Sequence, residues 1–440
     1  MQNITVIGTG YVGLVSGAGL SDFGNQVVCT DIDESKIRSL NEGKIPIFEP
    51  GLKEVVDRNV KSNRLSFTTD VSKAVQDAEV IFIGVGTPEG KNGEADLSAV
   101  FSVVETIGNN LNTYKIICTK STVPIGTGEK IISIINKLKN NDMDFDYVSN
   151  PEFLREGSAV RDFLIPNRIV LGATSEKSIQ IMQDVYRPLY INETPIVYTN
   201  VPTAEMIKYA SNAFLALKLS YINEIANLCE AVNSDVNVVA KAMGNDGRIS
   251  SKFLHPGPGF GGSCFPKDTK ALLSLSKELN EPLNTVAAAI KTNNRQKERM
   301  ADKLFNLMGD EIKGKTIAVL GLSFKQMTDD VRESASIKMI QSILDREGIV
   351  KAYDPEASNN MKLYFPNIEY CSNWQDAVNN VDAVAIMTEW HEFRGLDLIE
   401  LKRLVKTPII LDTRNVLNMK DLNSLNFKFD NIGRLFIDEK

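Results

Sequence analysis

The chain has 440 residues, with 49 Lys and Arg against 56 Asp and Glu, and the formal net charge of -7 argues against a nucleic acid partner. At 43 % hydrophobic and 24 % charged, it has the composition of an ordered globular protein long enough for two or three domains, each with its own core. No apolar run reaches the roughly 18 residues of a membrane span, so no membrane association is expected.

The opening MQNITVIGTG lacks the basic start and cleavage site of a signal peptide and reads as a strand entering a glycine turn, so the expected compartment is the cytoplasm. From Ile4 to about Thr199, the Val/Ile runs ITVIG, QVVCTD, EVIFIGVG, KIICTK, DYVSN and RIVLGA alternate with helical stretches, the pattern of a doubly wound parallel sheet. Thr203 to Glu230 contains no Pro or Gly and spaces Phe214, Leu217, Tyr221, Ile225 and Leu228 as one long helix. At 1.5 Å per residue it would run about 42 Å, enough to join two domains or form the spine of a dimer. Asp235 to about Leu307 reads as mostly helical, broken by PGPGFGGS. After Gly309 a second α/β pattern follows in KTIAVLGLSF, IVKAYDP, DAVAIMTEW and TPIILDTR, with a helix over Ser336 to Arg346. The expected fold class is therefore α/β, two Rossmann-like domains (1–200 and 309–440) joined by a helical middle (201–308).

The first strand runs into Gly8, Gly10 and Gly13 of a GxGxxG turn, and the second ends at Asp31, eighteen residues after the last glycine. Gly8 suits a tight turn, Gly10 lets backbone N–H groups approach a pyrophosphate, and Gly13 allows close helix packing. An Asp at the end of the second strand accepts the ribose hydroxyls and repels a 2′-phosphate, which favours NAD over NADP; Lys36 slightly weakens that preference. The second α/β region repeats the plan with Gly321 and Asp354 but lacks the other glycines, so it should not bind a pyrophosphate in the same way.

The five cysteines are scattered, odd in number and never in a CxxC pair, so neither disulfides nor a thiolate metal site is expected. With only His255 and His391, a His-based zinc site or a Ser-His-Asp triad is disfavoured, and no metal is expected. Cys264 stands out in GGSCFPKD, at the start of a helical run and beside Lys267, where a thiol should ionise more readily. Asp268 follows on the same face. Cys29, Cys118 and Cys229 sit in apolar segments and read as small buried residues. Lys208 with Asn212, and Glu152 with Glu156, are i, i+4 pairs that could stabilise an oxyanion or divide acid and base roles; alone, each is more often a solvated face.

Together these residues make the chain resemble the UDP-glucose 6-dehydrogenase family of NAD-dependent nucleotide-sugar dehydrogenases, nearly end to end. The matching segments are GTGYVGL, VGTP, KSTVP, NPEFLREG, KYASNAFLALKLSYINE, FLHPGPGFGGSCFPKD, GLSFK, TDDVRES and LDTRN. The resemblance implies oxidation of the sugar C6 alcohol to a carboxylate with two NAD per turnover, through a Cys264 thiohemiacetal and thioester. It implies Lys208 and Asn212 as oxyanion stabilisers, Asp268 as a carboxylate assisting water or thiol, Thr122 with Glu152 positioning that water, and Glu156 touching both cofactor and substrate. Cofactor contacts carry over to Gly8, Gly10, Tyr11, Val12, Gly13, Asp31, Lys36, Thr87, Pro88, Thr122, Lys267 and Arg332. The sugar nucleotide would meet Glu152, Phe153, Leu154, Arg155 and Glu156, then Phe253, Leu254, His255, Pro256, Gly257, Phe260 and Gly261. Lys325 and Arg414 would reach it from the last domain, the expected UDP-sugar-binding one. Arg248 matches a residue donated by a neighbouring subunit, which implies a homodimer. Two departures lie at the edge of these sites: Gln326-Met327 where the family often has Pro-Asp, and Ala335 in RESAS where it has Pro.

Sister activities share parts of the pattern. GDP-mannose 6-dehydrogenase also has GGSC with a following Lys-Asp. UDP-N-acetylmannosamine dehydrogenases usually place His before the cysteine, where this chain has Ser263. The PGPGF stretch favours the UDP-glucose branch. A catalytically silent nucleotide-sugar binder would be expected to lose Cys264, Lys208 or Asn212, and a two-electron hydroxyacid dehydrogenase would need no thiol.

Overall fold

The structure, a computed structural model, describes residues 1–140 and 142–435. It divides into two compact units, 1–211 and 212–440.

The first unit holds an eight-stranded sheet of β1 (Asn3–Ile7), β2 (Gln26–Thr30), β3 (Leu65–Thr68), β4 (Val80–Ile83), β5 (Lys115–Thr119), β6 (Phe145–Ser149), β7 (Ile169–Ala173) and β8 (Ile196–Thr199), in the order β3-β2-β1-β4-β5-β6-β7-β8. Both faces are covered. Ile4, Val6, Val80 and Phe82 pack with Leu14 and Val15 on one side, while Ile7, Ile81 and Ile83 pack with Val100 and Val104 on the other. That two-sided burial is why the central strands read as unbroken apolar runs. All pairs are parallel except β6 with β7, which is antiparallel and qualifies the all-parallel expectation. The chain leaving β6 crosses the short helix Ala159–Leu164 and turns straight back, so residues 150–168 all lie at the carboxyl edge of β6.

The long helix spans Val201–Ala231, 31 residues, and runs from the first unit into the second. In the second unit, helices Val236–Gly244, Phe265–Glu278 and Asn284–Met308 precede a six-stranded parallel sheet. Its strands are β9 (Thr316–Leu320), β10 (Ile349–Tyr353), β11 (Glu369–Tyr370), β12 (Ala383–Ile386), β13 (Ile409–Asp412) and β14 (Lys428–Asp430), in the order β11-β10-β9-β12-β13-β14. Ile317, Val319 and Ala385 face a core shared with Met300 and Leu304 of the helix Asn284–Met308, and Ala318, Val384 and Ile386 face Trp374 and Phe393. Among the described residues no helix is long and apolar enough to cross a membrane.

Candidate active site

In the first unit the glycine turn has the geometry its sequence calls for. Gly8 has φ 101°, and a Cβ there would lie 2.8 Å from the Gly84 carbonyl oxygen. A Cβ on Gly13 would lie 1.9 Å from the Gly8 oxygen, so helix Tyr11–Asp22 rests directly on the turn. Around Gly10, by contrast, a Cβ would meet nothing within 4 Å. Gly10 caps that helix without a side-chain bond, so no capping side chain takes up its first N–H groups, as a pyrophosphate requires.

Asp31 accepts the Thr9 N–H at 2.9 Å and hydroxyl at 2.7 Å on one oxygen, and the Asp33 N–H at 3.0 Å on the other. The second oxygen keeps a lone pair for ribose hydroxyls. Lys36 Nζ stands 3.9 Å from Asp31. The residues present thus fit a dinucleotide. Beyond β4 and β5, the Thr87 hydroxyl donates to the Thr122 carbonyl at 2.9 Å and ties those two loops together, while Pro88 is exposed.

The NPEFLREG loop after β6 holds a buried ion pair. Lys208 Nζ lies 2.9 Å from Glu152 Oε1, both side chains 4 % exposed, and Glu152 Oε2 accepts the Leu154 N–H at 2.5 Å. Phe153 presents its ring to Lys208 at 5.4 Å and to the Arg168 guanidinium at 3.4 Å. Arg155 is engaged by Asp162 through two bonds of 2.9 and 2.6 Å. Glu156 is buried.

Three residues here escaped sequence reasoning. Glu49 accepts the Tyr11 hydroxyl and the N–H groups of Gly157 and Ala159, both at 2.7 Å, and so ties the glycine-turn helix to the loop carrying Glu156. Burial pushes its carboxyl up and the Tyr11 phenol well up. Lys120 donates to Asn150 at 3.1 Å and Tyr186 at 3.4 Å at the root of the same loop, and burial brings its ammonium down to about 8. Arg168 is the third, stacked on Phe153. Glu49 has no local signal, since its loop partners lie 108 and 110 residues away. Lys120, at the end of an apolar strand, could have been flagged as a buried cation.

In the second unit Cys264 immediately precedes helix Phe265–Glu278, with Pro266 in its first turn. It is half-buried, whereas Cys29, Cys118 and Cys229 are sealed in apolar cores, as read from sequence. The Ser263 hydroxyl lies 3.6 Å from its sulfur, and the Asp268 N–H donates to its carbonyl at 2.8 Å. The Asp268 carboxylate is only 1 % exposed; one oxygen takes the Asn212 amide at 2.6 Å and the other meets Lys267 Nζ at 2.7 Å. Lys208 and Asn212 therefore stand one turn apart on the long helix, each holding a different buried carboxylate.

Within the same unit Arg414 lies against the glycine loop: its Nη1 would be 3.5 Å from a Cβ on Gly257. It is anchored on the carbonyls of Met387 at 2.8 Å and Phe324 at 2.7 Å, and by Glu389 at 3.1 Å. Lys325 lies over the Phe324 ring, which packs on Gly262. Leu254, Gly257, Phe260 and Gly261 are buried, Phe253 has φ 64°, Pro256 is half-buried and His255 is exposed. Arg332 is held by Asp330 at 2.8 Å. Arg248 joins none of these groups; its side chain is 90 % exposed and pairs with neighbouring Asp246. No cluster of three or more His, Cys, Asp or Glu suited to a metal occurs among the described residues.

Residues 2–190 match the NAD binding domain of the UDP-glucose/GDP-mannose dehydrogenase family, 202–295 its central domain and 318–419 its UDP binding domain. The chain is 48 % identical over 435 residues to UDP-glucose 6-dehydrogenase TuaD of Bacillus subtilis (strain 168), covering 99 % of this chain and 94 % of that protein. It is 47 % identical over 436 residues to a UDP-glucose 6-dehydrogenase of Rhizobium meliloti (strain 1021), covering 98 % and 100 %. Among solved structures, a UDP-glucose dehydrogenase from the hyperthermophilic archaeon Pyrobaculum islandicum superposes with a TM-score of 0.92 at 34 % identity, covering 99 % of this chain and 98 % of that one.

Proposed function

The chain belongs to the UDP-glucose/GDP-mannose dehydrogenase family, and from that premise we propose that it oxidises UDP-glucose to UDP-glucuronate, consuming two NAD and one water. The division of labour is NAD binding by 1–200, the thiol and its helices in 201–308, and UDP-sugar binding by 309–440. The glycine turn and Asp31 would hold NAD, and each of the two NAD consumed in turn would supply the acceptor for one hydride.

The chain's own groups do the rest. Loss of a hydride and a proton from the C6 alcohol gives an aldehyde; the Cys264 thiolate adds to its carbon, and the oxyanion formed takes up a proton, giving a carbon that carries both sulfur and a hydroxyl. Loss of hydride from that carbon and of the hydroxyl proton leaves a thioester. Water then attacks the thioester, releasing the carboxylate and regenerating the thiolate, so the thiol makes the second oxidation possible without being consumed. Lys208 and Asn212 stabilise the oxyanions, Glu152 with Thr122 orients the water, and Asp268 receives a proton. The observation that carries the reading is the half-buried Cys264 at a helix start, beside a buried carboxylate whose two oxygens are engaged by Asn212 and Lys267.

A homodimer in which Arg248 serves the neighbouring subunit is part of the proposal. It is supported by the exposure of Phe214, Tyr221 and Leu228, seven residues apart on the long helix, and of Arg248 itself. The cytoplasm, where NAD and nucleotide sugars are made, is the proposed location. The test is turnover of UDP-glucose, GDP-mannose and UDP-N-acetylmannosamine with NAD. Two NADH per UDP-glucuronate, and slower turnover of the other sugars, are expected; one NADH per UDP-glucose consumed, with the aldehyde released, contradicts the four-electron oxidation.

A further inference from the structure

The segment from Ser250 to Cys264 forms neither helix nor strand and contains Gly257, Gly259, Gly261 and Gly262, so its backbone has more freedom to lose than any other part of the site. A nucleophile delivered by such a loop needs something to hold it. Helix Asn284–Met308 presents three polar side chains at i, i+3 and i+4 that are nonetheless buried: Asn293 at 3 %, Gln296 at 1 % and Lys297 at 7 % exposure.

All three act on main chain. Asn293 accepts the Phe260 N–H at 2.7 Å and donates to the Phe260 carbonyl at 3.0 Å. Gln296 donates to the Gly257 carbonyl at 2.9 Å, while Asn223 accepts the N–H of the same residue at 2.8 Å. Lys297 donates to the Glu333 carbonyl at 2.7 Å and carboxylate at 2.9 Å. The turn it grips is the one whose Arg332 carbonyl accepts the Gly262 N–H at 2.7 Å, two residues before Cys264. Glu333 itself has φ 55°, a left-handed conformation that a non-glycine residue keeps only when held. The glycines make the grip possible: a Cβ on Gly259 would sit 3.0 Å from both Asn293 and Lys297, and one on Gly261 would sit 2.4 Å from the Glu333 oxygen.

We infer that Asn293, Gln296 and Lys297 are positioning residues for Cys264, fixing the loop backbone from Gly257 to Gly262 so that the thiol meets the sugar carbon at a set place. The inference rests on Cys264 being the nucleophile. Misplacing a reacting atom by about 1 Å can cost about 100-fold in rate.

Lys297→Met keeps the aliphatic stem and removes the Nζ bonds. It is expected to speed exchange of the Gly262 amide at least about 10-fold, to shift the pH midpoint of Cys264 alkylation by iodoacetamide, read on the Cys264 peptide, and to lower kcat at least about 10-fold, with the KM for NAD within about twofold. Lys297→Arg, which retains donors, should recover kcat to within about threefold. A folded Lys297→Met protein with exchange, alkylation profile and kcat all within about twofold of the parent overturns the inference. Should that variant not fold, Gln296→Leu is read the same way through Gly257 exchange. If the parent alkylates normally but oxidises no nucleotide sugar, the proposed function fails, and the exchange and alkylation readouts still decide the positioning role.

Discussion

The two sheets share a plan and part company at one turn. In each, the central strand runs into a glycine of positive φ, Gly8 at 101° and Gly321 at 93°, and the neighbouring strand is followed by an aspartate. Asp354 is saturated: one oxygen takes the N–H groups of Leu322 and Ser323, the Ser323 hydroxyl and the Trp390 indole, and the other takes the N–H groups of Glu356 and Ala357. The space at Gly321 is taken by Thr388, 2.5 Å from where a Cβ would be. Asp31 keeps a free lone pair, and Gly10 opens onto empty space. The same backbone is thus a dinucleotide cradle in one unit and a closed structural joint in the other. Spare hydrogen-bonding capacity decides between them, and the fold alone does not.

That contrast assigns the cofactor to the first unit; the covalent chemistry proposed for Cys264 belongs to the second, and Cys264→Ser separates the two most sharply. UDP-glucuronate formation should fall by about 1,000-fold or more while NAD affinity, titrated by fluorescence, stays within about twofold. Retained carboxylate production would remove the thiol from the reaction. Next in size, Asp31→Ala should raise the KM for NAD about 10- to 100-fold, as expected for losing hydrogen bonds to a charged group. Asp354→Ala should leave that KM unchanged but cost about 3 kcal/mol or more of stability, seen as a lower melting temperature, because it orphans buried N–H donors. Equal effects of the two on NAD binding would erase the distinction between the sheets.

How much of this was legible depends on how local the cause is. The central strands are buried on both faces and announce themselves as Val/Ile runs. β3, β8, β11 and β14 escaped because they lie toward the sheet margins, are two to four residues long and are half-exposed. RIVLGA was readable as a strand, but its reversed direction was not, since that is set by how residues 150–168 return to the sheet. The glycine turn, Asp31 and the cysteine at a helix start are local patterns. The Asn293, Gln296 and Lys297 stripe reads as a solvated face in TNNRQK, because its partners lie 33 to 39 residues away along the chain.

Two carboxylates on the long helix extend the comparison to charge. Glu205 is buried, accepting the N–H groups of Gly126 at 2.7 Å and Gly128 at 2.8 Å, and burial outweighs those bonds to push it up to about 7. Glu230 is pushed up by burial too, but the Gly433 N–H with Lys303 and Arg299 outweighs this and holds it below its ordinary value. The signs are opposite. Glu205 binds its proton more tightly when folded, so its contribution is complete below the unfolded pKa of 4.5 and is lost as pH rises to about 7. Glu230 contributes above the unfolded pKa and loses that contribution in acid. Between pH 4.5 and 7 the parent should therefore lose about 3 kcal/mol relative to Glu205→Gln, with the difference flat above. Parallel melting curves across that range would show the Glu205 carboxylate to be compensated as Glu230 is.

The smallest expected effect is the most diagnostic for the cradle. Gly10 has φ -73°, which any residue adopts, and a Cβ there meets no atom within 4 Å, so Gly10→Ala should fold as well as the parent or gain about 0.4–1 kcal/mol from a stiffer unfolded chain. Its methyl nevertheless enters the space through which a pyrophosphate reaches the helix N–H groups, and the KM for NAD should rise about fivefold, under 1 kcal/mol or so. Gly13→Ala is the counterpart: its Cβ would fall 1.9 Å from the Gly8 oxygen, backbone against backbone, and folding fails before binding can be read. The two alanines therefore distinguish a glycine kept for the ligand from one kept for the fold. If Gly10→Ala binds NAD as the parent does, the pyrophosphate does not cross that turn, and the open space in the first sheet loses its meaning as a cradle.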